Sequence, residues 1–317
     1  MFISIILLIT GFALLIKGAD LFVDGASSTA QNFKVSKMLI GLTIVAFGTS
    51  APEFAVSMSA LASNSTDMVL GNVIGSNILN ILLIIGIAAV IKPITIKDNT
   101  VKKELPLTLL ISTLLVVLFL DVYLGNGNVN QITREDGIVI LLFFSVFLYY
   151  LITIAKQKRK TSEEEKPPMK LTTSLFFVLL GLAGIIIGSD LVVENASNIA
   201  SALGISERVI SLTVIAFGTS LPELVTTIVS SKKGEQDLLV GNIIGSNIFN
   251  ICVVLGIPVA IYGTVTPTSF QSIDLITLII SSLLLFIFAS SERKISKKEG
   301  IFMLAIFTAY YTFIALA

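Results

Sequence analysis

The chain of 317 residues has no histidine, a single cysteine, and only 13% charged residues, with acids and bases in balance at a net charge of zero. Each shortage excludes something. Without imidazole there is no histidine-ligated zinc or haem and no histidine acid–base chemistry. One cysteine cannot form an intrachain disulfide, and Cys252, in an apolar run, reads as a small packing residue. A neutral chain has no global field to recruit nucleic acid. The first residues, MFISIILLITGFALLI, lack the basic n-region and small-residue cleavage site of a signal peptide. They read instead as a first membrane-spanning helix.

What is present is apolar. Hydrophobic residues make up 54% and the mean hydropathy is +0.94, where a soluble domain carries about a quarter charged residues. Stretches long enough to cross a bilayer fall at 2–23, 38–62, 68–91, 105–121, 136–155, 171–193, 209–230, 237–262, 271–289 and 298–316. The expected fold is therefore an all-α membrane protein of ten transmembrane helices. A charged linker, KQKRKTSEEEKPPMK at 156–170, separates a half at 1–155 from a half at 171–317. Counting Lys and Arg over alternate loops gives 18 on one side and only Arg134 and Arg208 on the other. By the positive-inside rule, both termini are expected outside and the linker in the cytoplasm.

The halves repeat at a fixed offset of 170 residues. GADLFVDGAS from Gly18 matches GSDLVVENAS from Gly188; GLTIVAFGTSAPEF (41–54) matches SLTVIAFGTSLPEL (211–224); VLGNVIGSNILNI (69–81) matches LVGNIIGSNIFNI (239–251). Roughly 30 of the 74 pairs between Gly18 and Ile91 are identical. Five helices per half is an odd number, so the second half must enter the membrane upside down. Such inverted repeats are common in secondary transporters, where the substrate site lies near the midplane at the repeat interface.

The most alike residues are polar and fall in mid-span. Glu53 and Glu223 lie past the middle of the second and seventh helices, and Asn80 and Asn250 are central in the third and eighth. Ionisable groups at this depth are costly and mark ion or substrate sites by default. Pro52 and Pro222 follow Gly48 and Gly218, so both helices are expected to break there. The break frees carbonyls around Ala46 and Ala216, beside the hydroxyls of Thr49, Ser50, Thr219 and Ser220. Ser76 and Ser246 lie one turn from the asparagines. Every donor is an oxygen. Calcium takes six to eight oxygens with carboxylates among them, and two glutamates neutralise a divalent ion; the same oxygens also bind sodium.

Plainer roles suit other residues. The glycines of GNVIG and GNIIG read as close-packing positions, and Asn77 and Asn247 as helix caps or cross-links. Asp20 has the i,i+3 spacing to pair with Lys17, while Asp190 faces Ile187 at the matching place. Both aspartates read as structural.

GTSAPE and GTSLPE, each followed by GSNxxN, resemble the two alpha-repeats of the sodium/calcium exchangers, within the calcium/cation antiporter superfamily. The resemblance covers essentially the whole chain, without the large cytosolic calcium-sensing loop of animal exchangers. It implies an antiporter rather than an enzyme, with no cofactor and no obligatory protein partner, working in the cell membrane. It also implies ion ligands at Ala46 (through its carbonyl), Thr49, Ser50, Glu53, Ser76 and Asn80, and at Ala216, Thr219, Ser220, Glu223, Ser246 and Asn250. In the family these form one calcium site flanked by sodium sites, and helices 1 and 6 slide to expose it to either side. Some relatives carry Asp where this chain has Asn80 or Asn250, which argues here against potassium co-transport. Sodium is the expected counter-ion and the proton the alternative, although the Gly-Asn-x-x-Glu pattern of proton-coupled relatives is absent. A passive channel fits an inverted repeat less well than alternating access does. An intramembrane protease would want paired aspartates sharing a proton.

Overall fold

A computed structural model describes residues 2–63, 65–124, 128–156, 168–204, 216–267 and 272–316. The helices are α1 (Phe2–Asn32), α2 (Lys37–Thr49), α3 (Ala51–Ala62), α4 (Thr66–Ile91), α5 (Leu105–Phe119), α6 (Arg134–Ala155), α7 (Leu171–Ala202), α8 (Leu221–Lys233), α9 (Gln236–Tyr262), α10 (Ser272–Glu292) and α11 (Lys297–Leu316). Among the described residues, six of these are long and apolar enough to cross a membrane, namely α1, α4, α6, α7, α9 and α10, and α2 with α3 counts as a seventh, broken span. The protein is thus mainly helical and membrane-spanning. The expected start of the seventh span at 209, Arg208 and the central linker residues 157–167 lie outside the described residues.

Two compact units cut across the sequence halves: residues 1–49 with 153–242, and 50–152 with 243–317. In the first, α1 lies against α7 with almost no side chain between them. A Cβ added to Gly18 would stand 2.7 Å from the Ile185 nitrogen, and one on Gly181 would stand 2.5 Å from the Phe22 nitrogen. Gly11 and Gly188 meet in the same reciprocal way, a Cβ on Gly188 falling 2.6 Å from the Leu15 nitrogen. Small residues let backbones approach where lipid supplies no hydrophobic drive between helices. Leu15, Ala19, Phe22 and Val23 of α1 pack with Val178, Ile185 and Val192 of α7 around this seam.

Polar contacts fasten one end of this unit. Lys37 pairs with Glu235 at 2.7 Å, and Lys233 reaches both Asp20 at 2.8 Å and Asp24 at 2.7 Å. The Asp20 partner is therefore Lys233, 213 residues away, and not the Lys17 that local spacing suggested. Asn32 Nδ2 donates to the Met169 carbonyl at 2.8 Å.

The second unit holds α3 to α6, α10, α11 and the later part of α9. Ser282 of α10 donates to Ser112 of α5 at 3.1 Å, a contact between residues 170 apart. Glu104 and Asp274, also 170 apart, each accept a tyrosine hydroxyl, from Tyr150 and Tyr310 respectively. Two short strands, β1 (Ile94–Thr95) and β2 (Lys294–Ile295), pair antiparallel, and Ile132 bridges to Val265. The all-helical expectation did not foresee these strands, which satisfy loop backbone where helices end. Beside them Arg293 and Asp98 form an ion pair. The Arg293 guanidinium, with Lys102 nearby, holds the Asp98 carboxyl below its usual range. Cys252 is fully buried in α9, as its apolar setting suggested.

Candidate functional site

The break in the second span falls at Ser50, whose backbone (φ −84°, ψ 6°) leaves the helix for one residue before α3 starts. Ser220 repeats the geometry (φ −90°, ψ 4°) ahead of α8. Pro52 and Pro222 then sit in the first turn of a new helix, where a missing N–H costs nothing. Glu53 and Glu223 also sit in that first turn, where the helix dipole favours a carboxylate. Ser-x-x-Glu is the spacing of a capping box, yet neither serine makes a side-chain cap hydrogen bond. Both glutamates are completely buried.

The carbonyl of Gly218 is orphaned by Pro222 four residues on. In this chain it accepts the Ser189 hydroxyl of α7 at 2.9 Å. That freed carbonyl is met by protein. The matching position in the first half is Ala19, so the two halves differ here.

Within the second unit, α4 and α9 are joined by an asparagine exchange. Asn77 Nδ2 donates to the Asn247 main-chain oxygen at 3.2 Å. That bond fixes which way the Asn77 amide points, because only its nitrogen can serve a carbonyl. The Asn77 oxygen therefore accepts Asn250 Nδ2, at 3.1 Å. Asn247 accepts Asn80 Nδ2 through its own amide oxygen, also at 3.1 Å. The consequence is chemical. Asn80 and Asn250 each turn their nitrogen to the helix partner and keep a buried amide oxygen that finds no hydrogen-bond partner among the described residues. Asn80 lies in a π-helical stretch, Leu79–Ile85, and Asn250 opens another, Asn250–Leu255. Such widened turns recur at functional sites, where they re-aim a side chain.

Asn72 and Asn242, the asparagines of the GN pairs, were given no role by the sequence. Asn72 Nδ2 holds the Glu53 main-chain oxygen at 2.9 Å and the Ser57 hydroxyl at 2.9 Å, fixing α4 to the first turn of α3. In the other unit, Thr49 donates to Asn242 Oδ1 at 3.1 Å, and Asn242 Nδ2 lies 3.5 Å from the Thr227 hydroxyl. The signal for these two asparagines was their repetition at 170 residues in the middle of apolar spans. What they bond to was not in the sequence.

The expected ligands divide between the units. Ala46, Thr49, Ala216, Thr219, Ser220 and Glu223 belong to the first, and Ser50, Glu53, Ser76, Asn80, Ser246 and Asn250 to the second. Thr49, Ser50, Ser220, Ser76, Ser246, Asn80 and Asn250 are buried, and Thr219 is half-buried. The glycine expectation holds for Gly241, whose added Cβ would lie 3.0 Å from the Cα of Gly41. Gly71 and Gly75 meet nothing within 4 Å among the described residues.

Asn77 gives a direct check. Asn77→Ala removes the acceptor that orients Asn250 and leaves the buried Asn250 amide nitrogen unmet, a cost of about 1–3 kcal/mol. Thermal unfolding in detergent should show that loss, and cation protection against unfolding should weaken with it.

Broken spans carry buried carboxylates among hydroxyl and amide oxygens. No group of three or more His, Cys, Asp or Glu comes together among the described residues. This donor set suits hard cations, and it defines a membrane cation transporter. The chain belongs to the sodium/calcium exchanger protein family, whose model matches residues 3–153 and 173–316. It is 40% identical to the putative antiporter CaxA of Alkalimonas amylolytica, over 98% of each chain. It is 34% identical to the sodium/calcium exchanger MaX1 of Methanosarcina acetivorans, over 97% of each. A solved structure of the sodium-calcium exchanger NCX_Mj, soaked with 10 mM Na+ and zero Ca2+, superposes with a TM-score of 0.84 at 32% identity, covering 99% of this chain and 98% of that one.

Proposed function

We propose that this protein exchanges sodium for calcium across the cell membrane by alternating access, extruding calcium. Ten helices form two inverted five-helix repeats on either side of the linker. Glu53 and Glu223 share one calcium ion, helped by the oxygens of Thr49, Ser50, Ser76, Asn80, Thr219, Ser220, Ser246 and Asn250 and the carbonyls of Ala46 and Ala216. The observation that carries this reading is the doubled donor set: each broken helix places one buried glutamate in its first turn, at one offset of 170 residues.

The inverted arrangement draws support from reciprocal contacts. Asn80 to Asn247 and Asn250 to Asn77 are the same bond with the halves exchanged. Gly18 against α7 and Gly188 against α1 are likewise exchanged contacts. A true or approximate twofold produces such pairs. The orientation, with both termini outside and the linker cytoplasmic, rests on the count of Lys and Arg; the grouping of loops on two sides that the count assumes draws support from contacts between loops. β1 pairs with β2, and Lys37 with Glu235, all in loops counted as cytoplasmic; Ile132 pairs with Val265, both counted as outside.

Two glutamates cancel the charge of one calcium, so the loaded site is neutral in low dielectric. Sodium competes for the same carboxylates, which makes the two half-cycles exclusive and couples the fluxes. Sodium is preferred to the proton because the surroundings of both glutamates are hydroxyls and amides, ligands that a metal ion uses and a proton does not need. Purified protein in vesicles loaded with sodium should accumulate labelled calcium when external sodium is removed. Uptake that ignores sodium and follows an imposed pH gradient would instead establish proton coupling. Flux that needs no ion on the opposite side would mean a channel.

A further inference from the structure

Beyond Glu223, α8 carries a second row of oxygens for which the shared calcium site has no use. Thr226, Thr227 and Ser230 continue the Glu223 face at helical spacing, with Ser231 at its edge. All four are 0–1% exposed. Among the described residues, the hydroxyls of Thr226, Ser230 and Ser231 find no hydrogen-bond partner. Unmet buried hydroxyls also occur singly, at Thr29, Ser197 and Ser290, but among the described residues three gather on one helix only in α8. Other helical hydroxyls fall back on the carbonyl four residues earlier, as Thr10, Thr43, Thr108, Thr113 and Thr308 do. The same recourse is open to Thr226, Ser230 and Ser231, and they do not take it. Buried hydroxyls left unmet are costly, so their retention calls for a ligand.

The row exists in one half only. At the matching places of α3 the first half has Val56, Ala60 and Leu61, with Ser57 alone still polar. Ser230 is seven residues, or about 10 Å, past Glu223 along the helix. The row ends where Lys233 is paired with Asp20 and Asp24.

We infer that Thr226, Ser230 and Ser231 form a transit site for a sodium ion between Glu223 and the Lys233 end of α8. Neutral hydroxyls can replace the hydration of a monovalent ion. They bring no carboxylate to offset the second charge of calcium, which at this depth is left unbalanced. The site therefore serves sodium, and only on the face where α8 ends. The inference rests on the exchange proposed above, and its test separates the two.

The test uses full-length protein in vesicles, with each population's sidedness assigned by an impermeant thiol reagent on a Lys232→Cys background. Thr226→Val, Ser230→Ala and Ser231→Leu together install the residues of the first half, and Ser230→Ala alone is a milder, purely subtractive change. The sodium concentration for half-maximal exchange, applied at the Lys232 face, should rise about tenfold in the triple variant and about threefold in the single one, while sodium applied at the opposite face shifts by less than about twofold. Equal shifts at both faces, or no shift at either while exchange persists, would overturn the transit site and leave the proposed exchange standing. If the triple variant does not fold, Ser230→Ala decides by the same comparison. Loss of sodium-dependent exchange in the unaltered protein would instead remove the proposed function itself.

Discussion

Glu53→Gln and Glu223→Gln should each abolish sodium-driven calcium transport, with a loss of at least about a hundredfold for either one. The change is isosteric and keeps an oxygen at the site, so it removes charge while leaving the packing. Both side chains are completely buried in the first turn of a helix. With one carboxylate gone, a calcium ion there keeps an uncompensated charge in low dielectric, a penalty of about 3–5 kcal/mol when one member of a buried ion pair is removed. Sodium needs only one charge and should lose less. Labelled calcium uptake into vesicles, with folding checked by size exclusion, measures the effect. Transport within about threefold of the unaltered protein would mean that the glutamate does not hold the ion.

The second large effect is one of packing. Gly181→Val should destabilise the protein by about 3 kcal/mol or more, above the usual overpacking cost of about 1–3 kcal/mol. The neighbours that a new Cβ meets are backbone atoms of Phe22 at 2.5 and 2.7 Å and the Gly18 carbonyl at 2.7 Å. Backbone cannot turn aside as a side-chain tip can, so α1 and α7 must separate. Gly184 is a useful contrast: its nearest neighbour would be the Gly18 Cα at 3.2 Å, and Gly184→Ala should cost less than about 1 kcal/mol. Melting temperatures in detergent should therefore fall steeply for Gly181→Val and little for Gly184→Ala. Similar melting of both would show that the seam is looser than its geometry indicates.

Much of this was open to sequence reasoning because membrane spans obey short-range rules. The span expected at 136–155 is α6, Arg134–Ala155, and that at 237–262 is α9, Gln236–Tyr262. The break before Glu53 followed from Pro52, although its place, Ser50, was set by where a proline is harmless in a new helix. What stayed hidden depends on tertiary partners. Asn77 looked like a cap or cross-link and proves to orient Asn250. Ser189 drew no notice, yet it satisfies the Gly218 carbonyl. Glu104 and Asp274 near helix ends drew no notice, since the tyrosines that hold them lie 46 and 36 residues away. The π-helical stretches at Asn80 and Asn250 had no sequence mark, because one extra residue per turn leaves the composition unchanged.

The central claim is that two glutamates, one from each half, hold a single calcium ion. Calcium titration of the purified protein by calorimetry, in sodium-free buffer, tests it most directly. The account predicts one calcium per chain, and none in Glu53→Gln or Glu223→Gln alone. Two calcium ions per chain, with one surviving in each single variant, would contradict it, because each glutamate would then own a separate site.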